Sequence, residues 1–333
     1  MKFLIIGLGS MGNRRIRNLQ SLGFTDIAGV DLRKDRRDAV TKKYEVPTYS
    51  TLNFALEKFN PNIFVISTPP NEHMKYAFMG FELGINCFIE ASVVDQERIL
   101  KLAEMVNLSN LVIVPSCTMR YFAGPRKVKE LVRSGAIGRV LNINYHTGQY
   151  LPDWHPWEDI ENFYVSNRET GGAREIVPFE LTWLNDIFGQ PTPLGCIKRK
   201  LSDLNVEIDD IYHVLLQYGN GIIANITVDV ISRPKSTRIM RILGSEGQIS
   251  FNGEQNIVQF INIGMKEWVE FQFKDVTIEK GYINPEEPYI EEMKDFISAI
   301  QCKDKTIFPN SLSNDYLVLK TLNSLEKLSI EVS

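Results

Sequence analysis

Gly7, Gly9 and Gly12 stand in the spacing G-x-G-x-x-G, directly after the apolar run 3–6 and at the start of a helical stretch over residues 11–22. A strand feeding a helix through such a turn makes a cradle for phosphate. The first glycine permits the tight turn, the second lets the backbone approach a pyrophosphate, and the third lets the helix pack against the strand. The helix N-terminus then offers free N–H groups and the positive end of its dipole to the anion. A second apolar run, 27–30, ends in Asp31. A carboxylate at that position accepts the adenosine ribose hydroxyls and repels a 2′-phosphate, so the pattern predicts NAD(H) in preference to NADP(H), a preference that Arg33 and Lys34 would soften. Gly7, Gly9, Ser10, Met11, Gly12, Asp31, Leu32 and Arg33 are the expected contacts on this side of the cofactor.

Two further stretches end strands with polar groups. The run 63–66 leads into Ser67, Thr68, Pro69, Pro70 and, after two residues, His73, and the strand 86–89 delivers Glu90, Ala91 and Ser92 to the same edge. Ligands of a doubly wound sheet bind at the carboxyl ends of its strands, so these residues are expected to border the nicotinamide ribose. Downstream, the segment 153–158 combines Trp154 and Trp157, flat surfaces able to stack on a sugar face, with His155, whose ordinary pKa suits proton transfer near neutrality. His146 is a second, weaker candidate. The four cysteines, Cys87, Cys117, Cys196 and Cys302, form no C-x-x-C pair, so neither a zinc site nor a disulfide framework is expected.

The elements that must position these groups alternate strand and helix up to about residue 119. That alternation describes a Rossmann doubly wound parallel sheet over residues 1–119, an α/β domain. From 120 to 333 the texture changes to a C-terminal α+β domain. A helix over 125–134 is followed by β-type runs at 137–150, 208–218, 222–230, 237–243, 248–252 and 268–273, the second and third joined by the hairpin signal Asn220-Gly221. A large open sheet, antiparallel or mixed, is expected there, with a closing helix over 313–330. A length of 333 residues fits two domains, and 44% hydrophobic residues with a net charge of −4 are ordinary for a globular chain. Nothing in this balance points to nucleic acid, no run approaches the roughly 20 apolar residues of a membrane span, and no leader pattern precedes the first strand, so a cytoplasmic location is expected.

Taken together, Gly7 to Gly12, Thr68-Pro69-Pro70 with His73, Glu90, Met119-Arg120-Tyr121, the run 131–138, the run 148–158 and Gly171-Gly172 resemble the Gfo/Idh/MocA family of glucose-fructose oxidoreductase and inositol dehydrogenase relatives. The resemblance spans nearly the whole chain. It implies NAD(P)-dependent hydride transfer at a sugar or polyol carbon, in a cleft between the two domains. It also implies a C-terminal sheet that joins subunits into a homodimer or homotetramer, and roles for Arg120 at the cofactor and substrate and for Arg174 at the substrate. Departures accompany the matches. The family usually carries Glu-Lys-Pro where this chain has Glu90-Ala91-Ser92, and Phe179 and Ile176 occupy the places of its usual histidine and aspartate. The proton acceptor must therefore come from elsewhere, with Glu175 and Glu180 ranked first because they follow the glycine pair, then His155, with Tyr121 also a candidate. Pro178 predicts a helix that kinks or begins only near Val177. Three functions follow: a sugar, amino-sugar or nucleotide-sugar oxidoreductase, an internal-redox lyase or hydrolase that retains its NAD, or a sensor without catalysis.

Overall fold

The computed structural model describes residues 1–154, 156, 158–274, 278–282 and 284–329. Its contacts divide the chain into two units, Met1–Thr118 with Pro285–Tyr316, and Met119–Asn284 with Leu317–Ser333.

In the first unit, β1 (Phe3–Ile6), α1 (Ser10–Ser21), β2 (Ile27–Val30), α2 (Lys34–Tyr44), β3 (Thr48–Tyr49), α3 (Leu52–Phe59), β4 (Ile63–Ile66), α4 (His73–Glu82), β5 (Asn86–Ile89), α5 (Gln96–Asn107) and β6 (Ile113–Pro115) follow in order. The six strands lie in the order β3-β2-β1-β4-β5-β6, all parallel. β1, β2 and β4 are buried at every position, as continuous apolar runs covered on both faces must be. The strand order reverses direction between β1 and β4, which places the ends of β1, β2 and β4 at the switch point where such sheets bind ligands.

The second unit contains α6 (Ala123–Arg133), β7 (Val140–Gly148), α7 (Ala173–Phe188), β8 (Thr192–Arg199), β9 (Ile211–Tyr218), β10 (Ile222–Asp229), β11 (Thr237–Gly244), β12 (Gly247–Asn252), β13 (Ile257–Asn262) and β14 (Val269–Gln272). They build an eight-stranded sheet in the order β14-β13-β12-β11-β7-β10-β9-β8, antiparallel except for β7 beside β10. Alternation is clean on β9, where Tyr212, Val214, Leu216 and Tyr218 are buried and His213, Leu215 and Gln217 are exposed. One face packs beneath α6 and α7, and the other carries exposed Leu215 and Ile239.

Two helices complete the chain. α8 (Glu287–Cys302) belongs to the first unit, and α9 (Leu312–Lys327) spans the division at Tyr316–Leu317. The reading that gave everything after 119 to the second domain thus differs from this grouping, because α8 is bound to the Rossmann unit by charge. Arg15, wholly buried on α1, donates through Nη2 to Glu292 Oε2 at 3.0 Å, and Glu292 also accepts from Ser116 Oγ, the Cys117 backbone N–H and Thr118 Oγ1. Just before α8, Glu286 receives Arg14, Arg17 and Asn18 from α1. The strands β8 and β13 and the helix α8 were also absent from the sequence reading.

α7 corrects the expectation of a delayed start, since it is helical from Ala173 with Pro178 inside it. Gly172, at φ +65°, opens the helix, and the Ala173 N–H donates to the Asp209 carbonyl at 3.1 Å. Pro178, the sixth residue of the helix, removes the bond to the Arg174 carbonyl, and its own carbonyl accepts from Thr182 Oγ1 at 2.8 Å.

Candidate functional site

At the edge of the Rossmann sheet, Gly7 has φ +93°, and a Cβ on Gly12 would lie 1.9 Å from the Gly7 carbonyl oxygen. The turn therefore exists only with glycine at Gly12. α1 starts at Ser10 behind Gly9, which has no side chain to cap it, and no acid occupies its first turn, so its positive end suits an anion. Met11 lies in that first turn. Asp31 follows β2, its Oδ2 accepting the Leu8 N–H and its Oδ1 the Arg33 N–H, both at 2.8 Å. These two bonds fix the carboxylate beside the glycine turn and leave lone pairs on both oxygens. Arg36 approaches Asp31 Oδ2 at 3.9 Å, Leu32 is 85% exposed beside it, and Arg33 pairs outward with Asp35.

Ser67 and Thr68 end β4. The Ser67 N–H donates to the Ile6 carbonyl, tying this loop to the end of β1, and the Ser67 hydroxyl donates to Glu90 Oε1 at 3.3 Å. Pro69 is exposed and Pro70 buried in the short turn that leads to α4. His73 is buried, and its Nε2 meets the Thr68 carbonyl at 2.8 Å. Burial lowers its pKa against the opposing pull of that bond and of Glu90 and Asp95, so the ring is a neutral brace for the loop. Glu90, expected at the cofactor, is held by Arg15 through Nε at 2.7 Å and Nη2 at 3.0 Å. Ala91 follows half-buried, with no group to move a proton. Thr68 Oγ1, His73 Nδ1 and Ser92 Oγ are enclosed and take no hydrogen bond among the described residues. A glycine cradle, an uncapped helix start, a fixed carboxylate and unspent polar atoms on one sheet edge fit a dinucleotide.

The second unit distributes its candidates differently. Glu180 is 1% exposed, and its carboxylate receives Tyr145 Oη and Trp183 Nε1, each at 2.7 Å, and the Arg238 guanidinium at 2.9 Å. Those donors come from β7, α7 and β11, so Glu180 clamps the helix to its sheet, its Oε2 taking the hydrogen bonds and its enclosed Oε1 taking none among the described residues. Arg174 forks onto Glu326 of α9, Nε to Oε1 at 2.7 Å and Nη2 to Oε2 at 3.2 Å, with Asn323 and the Glu169 carbonyl as further partners. Arg120 donates to the Thr182 carbonyl through Nε at 3.1 Å and Nη2 at 2.8 Å. Both arginines, expected at ligands, are thereby engaged in positioning α7. Tyr121 is buried, its ring 5.2 Å from the Arg126 guanidinium. Trp154 is half-buried with its Nε1 enclosed and unpartnered among the described residues, while His155 and Trp157 lie outside them. His146 meets Asp229 Oδ2 at 2.6 Å on the sheet.

Glu175 is placed differently. In the first turn of α7, it accepts Tyr164 Oη on Oε1 at 2.7 Å, while Oε2 is enclosed and has no partner among the described residues. Burial pushes its pKa up to about 8 in spite of the tyrosine bond. Tyr164 escaped the sequence reading, since nothing in a Tyr and a Glu 11 residues apart across an irregular loop marks them as partners. No group of three or more potential metal ligands occurs among the described residues.

Residues 1–114 match the oxidoreductase family with an NAD-binding Rossmann fold, and residues 126–250 match the GFO/IDH/MocA C-terminal domain. This chain belongs to the GFO/IDH/MocA oxidoreductase family. Over 150 residues it is 25% identical to a D-xylose 1-dehydrogenase (NADP(+)) of Hypocrea jecorina, covering 42% of this chain and 37% of that protein. It is 23% identical over 217 residues to oxidoreductase P35 of Formosa agariphila, covering 63% of this chain and 65% of that protein. The chain thus matches between about a third and two thirds of the length of these curated relatives. Levoglucosan dehydrogenase, solved with NADH and levoglucosan, shares the fold with a TM-score of 0.84 at 16% identity, over 99% of this chain and 97% of that one. No described helix is long and apolar enough to cross a membrane.

Proposed function

We propose that this chain is a nicotinamide-dependent dehydrogenase or reductase acting on a hydroxyl or keto carbon of a sugar, amino sugar or nucleotide-linked sugar, with NAD(H) preferred to NADP(H). The observation that carries the reading is Asp31, fixed by the Leu8 and Arg33 N–H groups beside a turn that tolerates only glycine at Gly12. Gly7, Gly9 and the first turn of α1 would hold the pyrophosphate, Asp31 the adenosine ribose, and the Ser67–Pro70 loop with Ser92 the nicotinamide side. A nicotinamide bound there supplies or accepts a hydride, and the protein contributes orientation and a proton partner. Arg36, 3.9 Å from Asp31, moderates the repulsion of a 2′-phosphate without cancelling it, so the preference is one of degree. The sugar class draws support from the similarity to a D-xylose dehydrogenase and to a levoglucosan dehydrogenase and from the unspent Trp154 indole N–H.

The test is a panel of keto sugars and of the corresponding alcohols offered with NADH, NADPH, NAD and NADP, followed by nicotinamide absorbance. Turnover of at least one sugar with the unphosphorylated cofactor is expected. Turnover confined to non-sugar carbonyls would overturn the substrate class, and faster turnover with NADPH the cofactor preference.

A further inference from the structure

We propose that Arg15 and Glu292 are positioning residues for the nicotinamide half of the cofactor, acting through Glu90. The proposal rests on the dinucleotide site read above and adds the groups behind it that set how firmly that half is held.

A single run of hydrogen bonds crosses the carboxyl ends of the neighbouring strands β4, β5 and β6, all of it within the first unit. Ser67, Glu90 and Ser116 each follow the last residue of one of these strands. Backbone bonds from the Glu90 N–H to the Ile66 carbonyl at 3.0 Å and from the Ser116 N–H to the Ile89 carbonyl at 2.7 Å keep the three ends level. Their side chains are joined in the same order. Ser67 Oγ donates to Glu90 Oε1, Arg15 Nε and Nη2 take the two oxygens of Glu90, and Nη2 gives its other hydrogen to Glu292 Oε2. Glu292 in turn accepts the Ser116 and Thr118 hydroxyls, at 2.9 and 2.7 Å.

These residues divide into those a ligand can reach and those it cannot. The side chains of Arg15 and Glu292 are both 0% exposed, and the guanidinium carbon lies 4.4 and 5.3 Å from the ring centres of Phe88 and Tyr289. Neither can touch a cofactor. Glu90 keeps 12% of its side chain exposed. A carboxylate offers roughly four lone-pair positions. The bonds from Arg15 and Ser67 occupy two on Oε1 and one on Oε2, so Oε2 retains a position for a ribose hydroxyl. Thr68 Oγ1 and Ser92 Oγ, close in sequence to Ser67 and Glu90, are enclosed and unspent among the described residues, and a polar ligand at this part of the edge would satisfy them.

A lone glutamate samples many rotamers. The arginine fork fixes both oxygens in one direction, so the remaining acceptor position is set before the cofactor arrives and little freedom is lost on binding. Because Nη2 is shared, Glu292 holds the guanidinium and thereby the carboxylate. The other half of the cofactor site is held by different bonds: the Leu8 and Arg33 N–H groups fix Asp31, and the Gly7 N–H donates to the Val30 carbonyl at 2.8 Å.

The test compares two probes on the full chain. NADH spans both halves of the site, whereas ADP engages only the pyrophosphate and adenosine half. Arg15→Lys keeps the charge but cannot reproduce the fork. It should weaken NADH binding by about tenfold or more, the loss that accompanies one charge-assisted hydrogen bond, and leave ADP binding unchanged in calorimetric titrations. Glu90→Gln should give the same pattern, and the double variant should lose no more than the larger single loss, because both changes act through one carboxylate. Unchanged NADH affinity in either single variant, NADH and ADP affinities that fall together, or additive losses would overturn the proposal and leave the dinucleotide site standing. If Arg15→Lys fails to fold, Glu292→Gln, which keeps the size of the side chain, takes its place with the same expected and overturning results. A wild type that binds ADP as tightly as NADH would also overturn the proposal alone. One that binds neither would remove the dinucleotide reading, and this proposal with it.

Discussion

Replacing Arg15 by methionine probes what joins α8 to the Rossmann unit. Arg15 is 0% exposed, stacks on Phe88 with its guanidinium carbon 4.4 Å from the ring centre, and is shared by Glu90 at 2.7 Å and Glu292 at 3.0 Å. Methionine fills much of the volume but leaves two carboxyls without their cation, one of them fully buried. Breaking a buried pair by removing one partner costs about 3–5 kcal/mol. At roughly 2–4 °C per kcal/mol for a body of this size, the unfolding transition of the first unit should fall by about 10 °C. The loss should depend on pH with a definite sign. Burial already raises the folded pKa of Glu292 against the pull of Arg15, and without Arg15 it must rise further. A group with a raised folded pKa contributes stability that is complete below its unfolded pKa and is lost as pH climbs through the folded one. The difference between wild type and variant should therefore grow as pH rises above about 4.5, the ordinary value of the group, and shrink as pH falls towards it. Scanning calorimetry across this range is the assay, with Arg15→Met/Glu292→Gln expected to recover part of the loss. A decrease below about 1 kcal/mol, within the range of an exposed pair, or a difference independent of pH, would refute the reasoning.

Asp31→Ala should weaken NADH binding by at least about tenfold, since even one charge-assisted hydrogen bond contributes about 1.5–3 kcal/mol, and should narrow the margin over NADPH; equal affinities in the wild type, measured by nicotinamide fluorescence, would refute the role. Glu180→Gln, which leaves Arg238 without its counter-charge, should lower stability by about 3 kcal/mol in denaturant titrations, yet leave NADH affinity and the pH profile of turnover unchanged. The exposed face of the eight-stranded sheet is the expected subunit contact, so Leu215→Glu with Ile239→Glu should reduce the mass seen by light scattering to that of one chain; an unaltered mass would place the contact elsewhere, and a monomeric wild type would remove it.

The Rossmann unit was legible because its signals are local. Phe3–Ile6 runs into Gly7, and Ile27–Val30 into Asp31, within a handful of residues, and the buried strands announce themselves by unbroken apolar runs. Its anchoring was not legible, since Arg15 and Glu292 stand 277 positions apart and a charged residue gives no sign in sequence that it is buried. For the same reason Arg120, Arg174 and Glu180 read as ligand contacts: an arginine or glutamate near a glycine pair looks alike whether it meets a sugar or a helix carbonyl. Pro178 misled only as to where the helix starts, because Gly172 at φ +65° and the bond from the Ala173 N–H to the Asp209 carbonyl, far along the chain, fix that start. The strand β8 went unread because Pro193 and Gly195 interrupt its apolar pattern, and both fall where its register with β9 shifts.

The central claim, net hydride transfer to a sugar, is tested most directly by isotope. With NADH carrying deuterium at C4 on the transferred face, the alcohol formed from a keto sugar should contain one deuterium on the former carbonyl carbon, with one equivalent of NAD released. Mass spectrometry showing that the label stays on a retained cofactor, while the sugar undergoes elimination or hydrolysis or does not change, would contradict the account.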